Sequence, residues 1–147
     1  MMNYKHILLA IDFFEQSDSV VKQAKALADL FNATLSIVHV VDNVPIPLSG
    51  YGLEPGFETD LTGEIMDNAR KRLAEFSKNL NINQSNQWVE LGSPKMEITR
   101  IAEEKQVDLI VLGSHGRHGL ALLLGSTSTG VLHYAKCDVL TVRLTDQ

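Results

Sequence analysis

Cysteine is nearly absent from this chain. Cys137 is the only one, so no intramolecular disulfide framework exists and a reducing compartment is expected. Long apolar runs are missing too: none approaches the roughly 18 residues that a membrane span needs. The first apolar run, Ile7 to Ile11, stops at Asp12 and lacks a small-residue cleavage site, so neither a membrane span nor a secretory signal is expected. Positive charge is in deficit. Against 18 Asp and Glu stand 13 Lys and Arg, a net charge of −5, which argues against the broad basic footprint of a nucleic-acid binder. What remains is an ordinary globular composition, 44% hydrophobic and 21% charged over 147 residues. A chain of that length forms one domain, here residues 1–147, burying about 68–70% of its unfolded surface. The expectation is a cytoplasmic protein, alone or in a small oligomer, with Cys137 as a small core hydrophobe.

The periodicity of apolar residues switches repeatedly along the chain. His6–Ile11 is nearly continuous and apolar, as a strand covered on both faces requires. From Ser17 the spacing of Val20, Ala24, Leu27, Ala28 and Phe31 predicts a helix, with Ser17 or Asp18 as N-cap. The β-branched stretch Ala33–Val41 predicts a second strand. Asp42 to Phe57 then holds Pro45, Pro47, Pro55, Gly50, Gly52 and Gly56, which forbids a regular element; loops so long are usually functional or disordered. A helix is expected from Glu58 or Thr59, carrying Leu61, Ile65, Ala69, Leu73, Phe76 and Leu80, with Gly63 weakening its start. Gln87–Leu91 reads as a short edge strand. Ser93-Pro94 signals a helix start ahead of Ile98, Ile101 and Ala102. Val107–Leu112 is a buried strand ending in Gly113, Ser126–Lys136 a short helix, and Asp138–Leu144 a last strand. Strands alternating with helices imply right-handed crossovers and a parallel sheet covered on both faces.

In such sheets ligands meet the carboxyl ends of the strands where the strand order reverses. Asp12 and the segment from Gly113 to Gly130 occupy those ends. Gly113, Gly116 and Gly119 allow amide groups to approach an anion without a Cβ in the way. The hydroxyl run Ser126–Thr129 opens a helix whose free N–H groups and dipole favour phosphate, and Arg117 supplies a cation. The segment is neither a Walker A loop nor a dinucleotide fingerprint: no Lys-Ser or Lys-Thr pair has the required spacing, and the glycines run G-x-x-G-x-x-G after the fourth strand. A bland reading stays open, in which the glycines serve turns and the hydroxyls cap a helix that binds nothing.

The opening KHILLAID, the segment VDLIVLGSHGRHGLALLLGSTSTGVLHYAKCDVLTVR and the element order together resemble a universal stress protein of the UspA type. The resemblance implies an α/β fold of the adenine nucleotide alpha-hydrolase-like kind. Its open parallel sheet has five strands in the order 3-2-1-4-5 with two helices on each face. It also implies a cytoplasmic stress-response homodimer joined through the last strand, Asp138 to Leu144; an edge strand paired with its two-fold mate satisfies open backbone groups. ATP or AMP, with Mg²⁺, is the implied ligand. The implied nucleotide-binding residues are Ala10, Ile11, Asp12, Val40, Val41, Gly113, Gly116, Arg117, Gly125, Ser126 and Thr127, with adenine beside the second-strand exit. This chain departs from the nucleotide-binding pattern in one count. Eight residues, Arg117 to Leu124, separate Gly116 from Gly125, where nucleotide-binding members have nine. Ala10 and Phe14 stand where many ATP-binding relatives carry proline and serine. The alternative is therefore a nucleotide-free dimer acting through protein contacts.

Other candidates carry less. His115 and His118 have no Cys, Asp or Glu between Gly113 and Gly130 to complete a metal site. Ser114-His115 is not a nucleophile pair, because adjacent side chains diverge. His39 reads as a hydrogen-bonded core histidine, and Asp108 as structural at the opposite sheet end. Asp12 is a ligand to adenine or ribose, or a helix cap. Tyr51 covers a base or is exposed. The hydroxyls of Ser126–Thr129 are expected to cap and hydrogen-bond, not to accept phosphate covalently. No general base is evident, so any ATP turnover is expected to be slow.

Overall fold

A computed structural model describes residues 3–13, 18–42, 57–114 and 126–143. Its elements are β1 (His6–Ala10), α1 (Asp18–Phe31), β2 (Thr34–Asp42), α2 (Phe57–Lys78), β3 (Gln87–Gly92), α3 (Pro94–Glu104), β4 (Leu109–Gly113), α4 (Ser126–Tyr134) and β5 (Asp138–Val142). The five strands form one parallel sheet in the order β3-β2-β1-β4-β5. The expected fold class, strand order and edge position of β3 are all found.

Alternation along the strands divides the core in two. Ile7, Leu9 and Ile11 of the β1 segment pack with Val20, Ala24 and Ala28 of α1 and Leu73 of α2 on one face. Leu8 and Ala10 pack with Ile98, Ile101 and Ala102 of α3 and Val131 of α4 on the other. Short residues at 24 and 28 bring α1 close to the sheet. Gly130 does the same between α3 and α4, since a Cβ there would collide with the Lys95 side chain. Glycine inside a helix costs about 1 kcal/mol relative to alanine, so this close approach is where that cost is met.

Element ends differ from expectation by a residue or two, each for a visible reason. The β1 ladder closes with Ile11 N–H donating to the Val38 carbonyl at 3.0 Å, so Ile11 continues the strand's last bond without belonging to β1. β4 begins at Leu109 and not Val107, because the Val107 N–H is drawn back to the Ala102 carbonyl at the end of α3. Leu80 lies beyond α2, in a turn closed by its N–H to Ser77 and by Asn81 in the left-handed region, and is still buried. Ser93 precedes α3, but its side chain makes no capping bond; its carbonyl accepts the Met96 and Glu97 N–H groups instead. α4 ends at Tyr134, before Lys136. Leu144 lies outside the described residues, as do Ser17 and Tyr51.

Leu8 and Leu9 are adjacent, point to opposite faces and are both fully buried. In a sheet with one wet face, one of the two would tolerate truncation. Here Leu8→Ala and Leu9→Ala are each expected to lower unfolding free energy by about 2–5 kcal/mol, measured by urea denaturation.

Candidate functional site

β1 is shorter than its neighbours at the carboxyl end of the sheet. Its last paired residue, Ala10, stands opposite Val38, whereas β2 runs on to Asp42 alongside β3. On the other side β4 and β5 stay paired to Gly113 and Val142. A notch results, floored by the end of β1. Asp12 leaves that floor, with the main chain of Val40 and Val41 on one side and the end of β4 on the other. Connections also diverge here: β1 leads to α1 on one face, and α3 delivers β4 from the other, which makes this the switch point of the sheet.

The side chains of Ala10 and Val40 lie in the α3–α4 core and that of Ile11 in the α1–α2 core. These residues therefore present only main-chain atoms to the notch. Val41 and Asp12 are partly exposed. Gly113 ends β4, and the next N–H, that of Ser114, extends the pairing with β5 by donating to the Val142 carbonyl at 2.8 Å. Ser126 and Thr127 form the first turn of α4, exposed and partly exposed respectively. Ser128 turns inward: 2% exposed, its hydroxyl donates to the Gly113 carbonyl and pins the start of α4 to the end of β4. Of the four hydroxyls read as caps or ligands, Ser128 is thus a structural tie. Gly116, Arg117 and Gly125 lie outside the described residues, as do His115 and His118. Among the described residues, no three His, Cys, Asp or Glu side chains form a metal-binding group.

Beside Asp12 stands a stack with little sequence signal. His39 of β2 donates from Nδ1 to the Ile11 carbonyl at 3.0 Å; a carbonyl only accepts, so Nδ1 carries the proton. The Phe13 ring lies 4.3 Å from the His39 ring, and the Arg72 guanidinium of α2 lies 4.4 Å over the other partner, Phe13. Arg72 also donates from Nη2 to the Phe13 carbonyl at 3.4 Å. Phe76 meets Phe13 edge-on at 6.3 Å. His39 is expected as a hydrogen-bonded core histidine; the hydrogen bond is there, but the side chain is only part-buried and lies outside both core clusters. Phe13 and Arg72 lack any motif that marks them; only the position of Phe13 next to Asp12 hints at a role.

Burial holds the His39 imidazole below its ordinary range, and Arg72 adds to the effect. The Ile11 hydrogen bond and the Asp12 charge oppose it. The Cys137 thiol is pushed up, first by burial and then by Asp138 and Asp108, so it is a protonated, half-buried group with none of the character of a reactive thiolate.

Comparison with known proteins agrees with this architecture. The model of the universal stress protein family matches residues 3–143. The chain belongs to the universal stress protein family. Universal stress protein A homolog 2 of Coxiella burnetii is 43% identical over 145 residues, covering 98% of each chain. Among solved structures, protein MJ0577 of Methanocaldococcus jannaschii superposes with a TM-score of 0.84 at 29% identity, covering 99% of this chain and 100% of that one. A universal stress protein in complex with cAMP superposes with a TM-score of 0.62 at 24% identity, covering 97% and 98%.

For this family member the His39 shift has a thermal consequence. A lowered folded-state pKa means that the unfolded chain takes up the proton first as pH falls below about 6.5. The contribution is complete above that pH and is lost on acidification toward the folded-state value. Melting temperature is expected to fall between pH 7.5 and 5.5 more steeply for the wild type than for His39→Asn, as measured by scanning calorimetry.

Proposed function

We propose that this universal stress protein binds an adenine nucleotide, ATP or AMP, as a ligand and not as a fuel. The observation that carries the reading is the notch over β1, where main-chain groups of Val40 and Val41 flank Asp12 and the pinned start of α4 stands across from them. The Ile11 N–H bond to Val38 sets the alternation, so the Val40 amide and carbonyl point to the β1 side beyond the end of that strand, where they match the donor and acceptor edge of adenine. Asp12 faces the ribose or base, and the first turn of α4, with Gly113, Gly116, Arg117, Gly125, Ser126 and Thr127, receives the phosphates through N–H groups and dipole. Mg²⁺ accompanies the triphosphate as counter-ion. The relative solved with cAMP supports the reading, since it has the same fold around an adenine nucleotide. In keeping with this, the protein works in the cytoplasm as a homodimer paired through β5, and the nucleotide biases the dimer or the 43–56 segment as a sensor would.

A second reading has its own observation. Eight residues between Gly116 and Gly125, in place of nine, shift the register of every amide in a loop that wraps phosphates. A nucleotide-free dimer working through protein contacts follows from that count.

Calorimetric titration with ATP and Mg²⁺, together with chromatography of nucleotide released on heat denaturation, decides between them. Binding in the micromolar to millimolar range is expected, weakened about tenfold by Asp12→Ala and abolished by Gly116→Val. No released nucleotide and no heat at millimolar ATP would establish the second reading. Sedimentation should give about 32 kDa, twice the 16.2 kDa chain; a concentration-independent monomer would refute the β5 dimer.

A further inference from the structure

We propose that His39 and Arg72 are positioning residues for Asp12: with Phe13 between them, they clamp the turn on which that carboxylate stands and set the geometry in which it meets a ligand. The inference rests on the nucleotide reading for the identity of that ligand. The last ladder bond of the β1 segment is Ile11 N–H to Val38. Past it the main chain has left β1, and among the described residues the paired strand register does not reach Asp12. Both of the flanking carbonyls nevertheless carry a side-chain donor from another element. Before Asp12, the Ile11 carbonyl accepts from His39 of β2 at 3.0 Å; after it, the Phe13 carbonyl accepts from Arg72 of α2 at 3.4 Å.

The Phe13 ring keeps the two donors in place, with the guanidinium at 4.4 Å and the imidazole at 4.3 Å from its centroid. An arginine over an aromatic face is attracted by the ring quadrupole, and the imidazole packs on the same ring. Two side chains from separate elements thus hold the carbonyls on either side of Asp12. Their effect on binding is preorganisation: a turn already fixed loses less freedom when a ligand arrives. The placement also gives α2, the helix that follows the 43–56 segment, a direct hold on the residue beside the ligand.

The test uses the full chain and two readouts. Amide ¹⁵N relaxation without ligand reports the order of Asp12, and titration with ATP reports affinity. His39→Leu removes the donor while keeping apolar bulk, and His39→Asn sets an amide N–H where Nδ1 stood. The Leu variant is expected to lower the Asp12 order parameter from about 0.85 toward 0.6 and to weaken ATP about tenfold. The Asn variant should restore affinity to within about threefold of wild type. Arg72→Met, on an exposed side chain that folding does not depend on, should reproduce both losses in milder form. It decides the matter if His39→Leu does not fold. Unchanged Asp12 order in the Leu and Met variants, or equal losses in the Leu and Asn variants, overturns the clamp. Order lost without any change in ATP affinity overturns it as a positioning device. If the wild type binds no ATP, the nucleotide reading fails while the relaxation arm still decides whether the clamp exists.

Discussion

Desolvation of a carboxylate fixes where β1 stops, and the arrangement around the notch depends on that stop. Residues 7 to 11 are buried between helices on both faces, and residues 7 to 9 are paired with both β2 and β4. A carboxylate fits such a strand poorly, because taking it out of water costs several kcal/mol. Asp12 therefore marks the first point at which the chain must reach the rim. The neighbouring strands meet no charge until later: β2 runs to Asp42 and β4 to Gly113. The central strand ends first, and the notch is the difference in length.

The opposite rim shows the same chemistry used for closure. Asp108 accepts the Lys5 and His6 N–H groups, His6 donates from Nδ1 to the Lys105 carbonyl, and its Nε2 lies 2.6 Å from the Ser36 hydroxyl. A serine hydroxyl on an imidazole whose other nitrogen is held by a carbonyl has the outline of a nucleophile and its base. Ser36 is fully buried, however, so no substrate reaches it. These bonds tie the start of β1 to β2, to the end of α3 and to the approach to β4, and His6 packs against Trp88 of β3. At this end of the sheet the polar groups satisfy one another, in contrast to the notch at the other end.

Element type and sequence are legible in the chain wherever an apolar period is unbroken, as in Ile7–Ile11, Leu109–Leu112 and the α2 repeat ending at Phe76. Strand order is not: hydrophobicity says that β1 and β4 are buried on both faces but not which strand lies beside which, and only the family resemblance supplies 3-2-1-4-5. Element ends escape for a related reason. A strand ends where its partner leaves or where an N–H finds a nearer acceptor, as Val107 does at Ala102, and neither event has a local signal. At the site, Asp12 and the hydroxyl run are visible because residue type alone implies chemistry. The clamp is not, since Arg72 is 59 residues from Phe13 and His39 is 28 from Ile11. Ser128 was visible as a hydroxyl yet not as a tie, because the side on which a helical residue falls depends on how the helix docks.

The net charge of −5 acquires a specific meaning from this geometry. At physiological ionic strength, charges more than about 8 Å apart are largely screened. A nucleic acid lies across a surface many times that length and meets the acidic excess all along it. A mononucleotide bound as proposed would meet only the notch. On the proposed reading its phosphates would face the first turn of α4, where N–H groups at a helix start act at hydrogen-bond range and are worth more than in open water. Overall acidity and the proposed phosphate-receiving rim are thus compatible in one molecule: the net charge bears on a long polyanion that spans the surface, and a small one would be judged by the rim alone.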